Sequence, residues 1–184
     1  MHSQDWYATE YAGDVVELLT RQHDEVKSLM GRVLSASGAD RQQAFDAVRE
    51  TLARHEAAEE AVLRPLVREA PGGAEEAGER THEEERAKET LGELEQLDVS
   101  SIPFEVLFRD FEKSVLLHAE NEQHLEFPLL RQTHDPETLR RARAAVEEVE
   151  AGRTPPGEEH HEGHSGTFAE MLGRARRLFA HLTS

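Results

Sequence analysis

His55-Glu56-Ala57-Ala58-Glu59, followed by Pro65, recurs 63 residues on as His118-Ala119-Glu120-Asn121-Glu122, followed by Pro128. Both copies read His-x-x-x-Glu with a proline six residues past the glutamate. On an α-helix, positions i and i+4 share a face, so each His and Glu enter the same space. Phe45, Val48 and Leu52 precede the first pair, and Val62 and Leu66 follow it; Phe108, Phe111 and Val115 precede the second, and Leu125 and Leu129 follow. These positions step by threes and fours, the spacing of a core-facing seam. An imidazole and a carboxylate therefore stand twice where an apolar side chain is expected. A buried, unpaired carboxylate costs several kcal/mol, so something must neutralise it. A metal ion does so directly.

At 184 residues the chain is long enough for one domain with a real core. Hydrophobic residues make up 37% and charged residues 32%, with seven prolines and twelve glycines, which suits an all-α protein better than a disordered one. The net charge of −17 argues against nucleic-acid binding and against anionic membranes. Cysteine is absent, which excludes disulfides, thiolate zinc sites, iron–sulfur clusters and a thiol nucleophile. No apolar run approaches the roughly 20 residues that span a bilayer, and no signal-peptide pattern is present. A cytoplasmic protein is the expectation.

The periodicity predicts helices over about 13–34, 40–69, 74–97 and 101–132. Asp40 is the expected N-cap of the second, Pro71-Gly72-Gly73 its stop, and Ser100 or Ser101 the cap of the fourth. Asp135-Pro136 opens a further charged helix to about residue 150. Long segments joined by short loops make an up-down-up-down four-helix bundle. Pro65 and Pro128 fall inside helical patterns and are read as kinks that wrap the core. Residues 1–150 thus form the bundle and its helical extension, 151–166 a Pro/Gly/His-rich flexible linker, and 167–184 a short amphipathic helix. Phe168, Met171, Leu172, Ala175, Leu178, Phe179 and Leu182 line the apolar face of that last helix, which docks on its own bundle or else meets a partner or a second copy of the chain.

Of the eleven histidines, His2, His134 and His181 lie at ends or in loops, and His124 falls round the helix from the site-facing stripe. His160, His161 and His164 sit in the linker, where metal binding is adventitious. His23 replaces an apolar residue on the seam of helix one, beside Val16, Leu19, Val26, Met30 and Val33. His82 lies about a turn and a half into helix three, whose apolar stripe is poor. The assembled set is His23, His55, Glu59, His82, His118 and Glu122: one imidazole per helix and two carboxylates. Six ligands are too many for one tetrahedral zinc and suit two metal ions with bridging carboxylates. The zincin pattern is excluded because Glu59 stands where it needs a second His. The ferritin-type pattern needs Glu-x-x-His on two helices, and within the bundle only Glu79-His82 has it.

This ordered set, spread over residues 13–132, resembles the hemerythrin-like family, the HHE cation-binding domain, and in particular its bacterial branch. The resemblance implies a four-helix bundle around a non-haem di-iron centre, Fe(II)/Fe(III), with an oxo or hydroxo bridge. Glu59 and Glu122 would bridge the irons, and His23, His55, His82 and His118 would be terminal ligands. Respiratory hemerythrins carry a second His one turn after the helix-three His, where this chain has Arg86, and use His-x-x-x-x-Asp on helix four. The open coordination positions left here favour reaction with O2, H2O2 or NO over simple oxygen carriage, with Glu56, Glu85 and Glu89 as candidate extra ligands. Catalase-like peroxide decomposition is chemically reachable, although Tyr7 and Tyr11 are the only tyrosines and both precede helix one, so no proton donor stands out. The alternatives are an iron- or oxygen-sensing module signalling through its C-terminal helix, and a metal-free or zinc-loaded helical interaction domain.

Overall fold

In the computed structural model, residues 11–150 and 167–182 are described, and every regular element among them is helical. The expected linker at 151–166, with His160, His161 and His164, lies outside those residues, as do His2 and Tyr7. Helix α1 spans Val15–Ser35, α2 Gly38–Ala58, α3 Arg64–Glu69, α4 Gly73–Leu94, α5 Ile102–Asn121, α6 Phe127–Thr133, α7 Pro136–Glu150 and α8 Phe168–Leu182. A single π-helical turn, Glu59–Leu63, joins α2 to α3, and another, Glu122–Glu126, joins α5 to α6. The bundle is therefore α1, α2 with α3, α4, and α5 with α6, running up, down, up and down.

Capping explains most of the boundaries. Asp14 accepts from the Glu17 amide at 2.9 Å, Ser101 from Phe104 at 3.2 Å and Asp135 from Thr138 at 2.8 Å. Asp14 is also fully buried and takes both a 2.8 Å and a 3.0 Å hydrogen bond from Arg131, tying the start of α1 to α6. The second helix starts earlier than expected: Ser37 is its N-cap position, and Asp40 lies in its first turn, where a carboxylate favours the helix dipole. At the turn before α4, Gly72 takes φ of +80°, and a side chain on Gly73 would strike the Val67 carbonyl at 1.7 Å. Those two constraints account for the Pro71-Gly72-Gly73 stop.

The two prolines do more than kink. In each π-turn an amide reaches back five residues, Arg64 N–H to the Glu59 carbonyl and Phe127 N–H to the Glu122 carbonyl. Pro65 and Pro128 follow at once; each lacks an N–H, and its ring would crowd the carbonyl four residues back in a regular helix. The wider turn inserts one residue and moves the seam by one position. Leu63 and Val67 are consequently buried where Val62 and Leu66 were expected, and Glu126 and Leu130 where Leu125 and Leu129 were expected. Leu125 is 47% exposed.

Away from these turns the core follows the expected stripes. Phe45, Phe104, Phe108 and Phe111 fill one end of the bundle, with Phe45 edge-on to Phe104 at 5.1 Å between centroids. Helix α8 lies back across the bundle, burying Phe168, Met171, Leu172 and Ala175, mainly against α2. Arg176 pairs with Glu60, and the Phe168 amide donates to Glu95 at 2.6 Å. The slipped register predicts that Leu130→Ala will cost about 2–5 kcal/mol in urea unfolding, as a buried truncation does. Leu125→Ala should stay within about 0.5 kcal/mol. Equal costs at the two positions would contradict the π-turn register.

Candidate metal centre

The last turn of α2 and the π-turn after it carry His55 and Glu59; α5 and its π-turn carry His118 and Glu122. Their i,i+4 spacing sets His55 Nε2 3.3 Å from Glu59 and His118 Nε2 3.4 Å from Glu122. His23 comes across from α1, with its Nε2 at 3.1 Å from His55 Nε2 and 3.3 Å from Glu122. Phe127, brought inward by the second π-turn, stacks on the His23 ring at 5.7 Å with 9° between planes. Glu59 and Glu122 are fully buried.

The outer ring nitrogens are held from behind. His55 Nδ1 donates to Gln22 Oε1 at 3.0 Å and His118 Nδ1 to Glu83 at 2.9 Å, while the Gln123 amide lies 3.0 Å from His23 Nδ1. With Nδ1 held from behind, Nε2 of His55 and His118 face the interior, where His118 would give up its second proton to a bound cation.

His82 is not part of this cluster. It lies on the exposed face of α4, whose buried seam is Gly73, Ala77, Arg80, Glu84, Leu91 and Leu94. His82 is two residues from both Arg80 and Glu84, about 200° round the helix from either. The third helix contributes the carboxylate of Glu84 instead. Glu85 and Glu89 are exposed as well, whereas Glu56 is buried at the edge of the cluster. His124 is exposed, as its position on the helix required.

Sequence reasoning also missed Arg64 and Glu126. Arg64, 2% exposed, sits among the carboxylates: one terminal nitrogen contacts Glu84, Glu122 at 3.0 Å and Glu59 at 3.7 Å, and the other donates to Glu126 at 2.5 Å. Spacing could have found Glu84, since Ala77, Arg80, Glu84, Ala87, Leu91 and Leu94 step by threes and fours. Arg64 and Glu126 face inward only because of the π-turns, which no apolar period announces.

Among the described residues, two groups have ligand atoms all within 4.8 Å of one another: His23, His55, Glu59 and Glu122, and Glu59, Glu84, His118 and Glu122. They share Glu59 and Glu122. Both Glu59 oxygens, one oxygen of Glu122 and Nε2 of His118 are buried and take no hydrogen bond. Buried nitrogen and oxygen atoms without hydrogen-bond partners, converging in one place, fit divalent first-row cations. Beside them lies a cavity of about 30 Å³, bordered by His23, His55, Glu56 and His118 and walled by Leu52, Leu91, Phe111, Val115 and Phe168. It has room for a water-sized molecule.

The cluster's charges are strongly coupled. Burial pushes Glu59 well above the ordinary carboxylate range, and Glu122 adds to it against the pull of Arg64. Burial and then Glu84 raise Glu56 to about 8; burial raises Glu126 to about 7 despite Arg64. Burial acts the same way on Glu122, but His118, His23 and Arg64 together hold it below the ordinary range. Burial and repulsion from His23 bring His55 down to about 3. Burial also lowers His118, yet Glu122 and the Glu83 hydrogen bond outweigh it and carry the ring to about 9.

In the metal-free protein these groups make stability depend on pH. A group raised on folding keeps a proton that the unfolded chain has released, so stability falls as pH climbs through that interval. His118, moving from 6.5 to about 9, and Glu56, from 4.5 to about 8, both act this way. Of the lowered groups, Glu122 completes its opposite contribution below pH 6.5, and His55, half-titrated in the unfolded chain at that pH, adds only a small remainder above it. Chelator-treated protein should therefore unfold at lower urea at pH 9 than at pH 6.5, and Glu56→Gln should shallow the decline. A urea midpoint that holds or rises over that range would contradict the assigned charges.

Neither the curated proteins nor the solved structures compared with this chain gave a match. The Hemerythrin HHE cation-binding domain model does match, over residues 14–130, from the N-cap of α1 to the penultimate turn of α6. The match covers well over half of the chain and encloses every member of the buried His/Glu cluster. The chain belongs to the hemerythrin HHE cation-binding family.

Proposed function

We propose that this protein holds a non-haem di-iron centre, Fe(II)/Fe(III) with an oxo or hydroxo bridge, and uses it to bind or reduce a small oxidant: O2, H2O2 or NO. The observation that carries the reading is the pair of ligand groups sharing Glu59 and Glu122. Two carboxylates common to both groups, supplied by facing helices, would let two ions be held side by side. His23 and His55 would hold an ion at one position. His118 and Glu84 serve the other, Glu84 standing in for the His82 expected from sequence.

When bound, two adjacent irons supply a two-electron couple, which suits peroxide reduction and catalase-like dismutation. The chain's own residues do the rest. Gln22 and Glu83 orient His55 and His118 from behind. Leu52, Leu91, Phe111, Val115 and Phe168 keep the approach apolar and admit only small molecules. Glu56 borders the cavity, and the burial that raises it to about 8 keeps it protonated at neutral pH in the metal-free protein. It lines the cavity together with Glu83 and Glu84.

A second reading, sensing through the C-terminal helix, draws on two contacts. Phe168 forms part of the cavity wall, and Arg176 grips Glu60, the residue next to Glu59. A change at the site would reach α8 through a single π-turn. Among the described residues no helix is long and apolar enough to cross a membrane.

Protein expressed with ample iron should carry about two irons per chain and show a near-ultraviolet oxo-to-iron band that changes on adding peroxide. His55→Ala and Glu122→Ala should each lower the iron content and erase that band, while His82→Ala leaves both intact. Full iron loading in both core variants would sink the site, and loss of iron in His82→Ala would restore His82 to it.

A further inference from the structure

The two copies share His, Glu and Pro at matching positions but differ at the residue just past each π-turn. The residue that the second turn delivers inward is Phe127, which covers His23. Its counterpart in the first turn is Arg64, and the guanidinium lands among carboxylates instead. Of the four members of the second ligand group, Glu59, Glu84 and Glu122 are all in ion-pair contact with one Arg64 nitrogen. His118, the fourth, keeps a buried Nε2 with no hydrogen bond, since a guanidinium placed against the three carboxylates does not satisfy it. The first group has no such competitor: His23 and His55 meet Glu59 and Glu122 with Arg64 reaching only the far sides of the shared carboxylates.

Resting on the two-ion reading above, we infer that Arg64 is the resident cation of the second position, so the two ions load in a fixed order. In the metal-free protein the guanidinium supplies the positive charge that lets Glu59, Glu84 and Glu122 be buried together. The first ion enters between His23 and His55 without disturbing it. The second ion and Arg64 claim the same carboxylate lone pairs and exclude one another. The other terminal nitrogen of Arg64 is bound to Glu126, which belongs to neither ligand group, so the side chain keeps an anchor when it withdraws. The second ion alone also satisfies His118. Arg64 thus sets the affinity of one position and leaves the other nearly untouched, a role distinct from that of a ligand.

Redox-silent Zn(II) tests this directly on the full chain stripped of metal. Calorimetric titration of the wild type should resolve two steps, the second weaker than the first by about tenfold or more. In Arg64→Gln the second step should tighten by about tenfold while the first moves by less than about threefold, and Arg64→Lys should fall between. Spectra of arginine side chains in the 15N-labelled wild type provide a readout that needs no variant. The Arg64 resonance should hold through the first equivalent and shift during the second. Stepwise affinities independent of residue 64, or an Arg64 signal that moves with the first equivalent or never, would overturn the inference and leave the two-ion site standing. A chain that takes up no ion would overturn both.

Discussion

Everything in this molecule depends on keeping acidic side chains out of water. Glu59, Glu84, Glu122 and Glu126 are buried within reach of one guanidinium, with Glu56 close by. Arg64, even with Arg80 acting on Glu126 and Lys88 on Glu56, does not balance that many carboxylates, and the protein responds where it can. Glu56, Glu59 and Glu126 are pushed toward their neutral forms, and His118 is held in its charged form. Both are the responses expected of a negative cavity short of cations. Divalent ions bound there would relieve the same imbalance more completely, because they would also satisfy buried atoms that no hydrogen bond reaches. The electrostatics and the orphaned atoms therefore point to the same missing partner.

The π-turns are the backbone's part in that solution. A regular helix carrying His and Glu at i and i+4 would next present Val62 or Leu125 to the same space, and the site would be closed with hydrocarbon. One extra residue per turn brings Arg64 and Glu126 into the interior, while Leu63, Val67 and Leu130 resume the core beyond. The prolines hold this register because a regular hydrogen bond at Pro65 or Pro128 is unavailable in any case. The His/Glu/Arg cluster thus lies between the aromatic end around Phe45 and Phe108 and the end where Tyr11 donates to the Arg131 carbonyl and Arg131 holds the buried Asp14.

Most of the bundle was legible in the chain because its seams obey a helical period and its ends carry caps. Ser101 and Asp135 cap as their positions suggested, and His23, His55, Glu59, His118 and Glu122 come together as the seams required. His82 misled because histidine was weighted by its chemistry rather than its phase. On a helix as polar as α4, the charged residues Arg80 and Glu84 occupy the seam, and an apolar stripe is a poor guide to which face is buried. The stripe beyond each glutamate failed for a different reason. Period arguments assume an uninterrupted α-helix, and a five-residue turn ahead of a proline shifts every later position by one while leaving the composition unchanged.

The near-repeat of α2 and α5 makes the remaining asymmetry informative. If the two halves were equivalent, both π-turns would deliver the same kind of residue, and the two positions between Glu59 and Glu122 would be alike. They are not. One side has two imidazoles covered by an aromatic ring; the other has one imidazole, an extra carboxylate and an arginine. The cavity borders both, and its apolar wall includes Phe168 from α8, a helix outside the matched family region. A small ligand entering there meets a site whose two ends differ in charge, ligand type and ease of displacement. In a two-ion site such a difference would let one ion stay fixed as an anchor while the other changes its partners, and the inequality arises from what stands at residue 64 and residue 127.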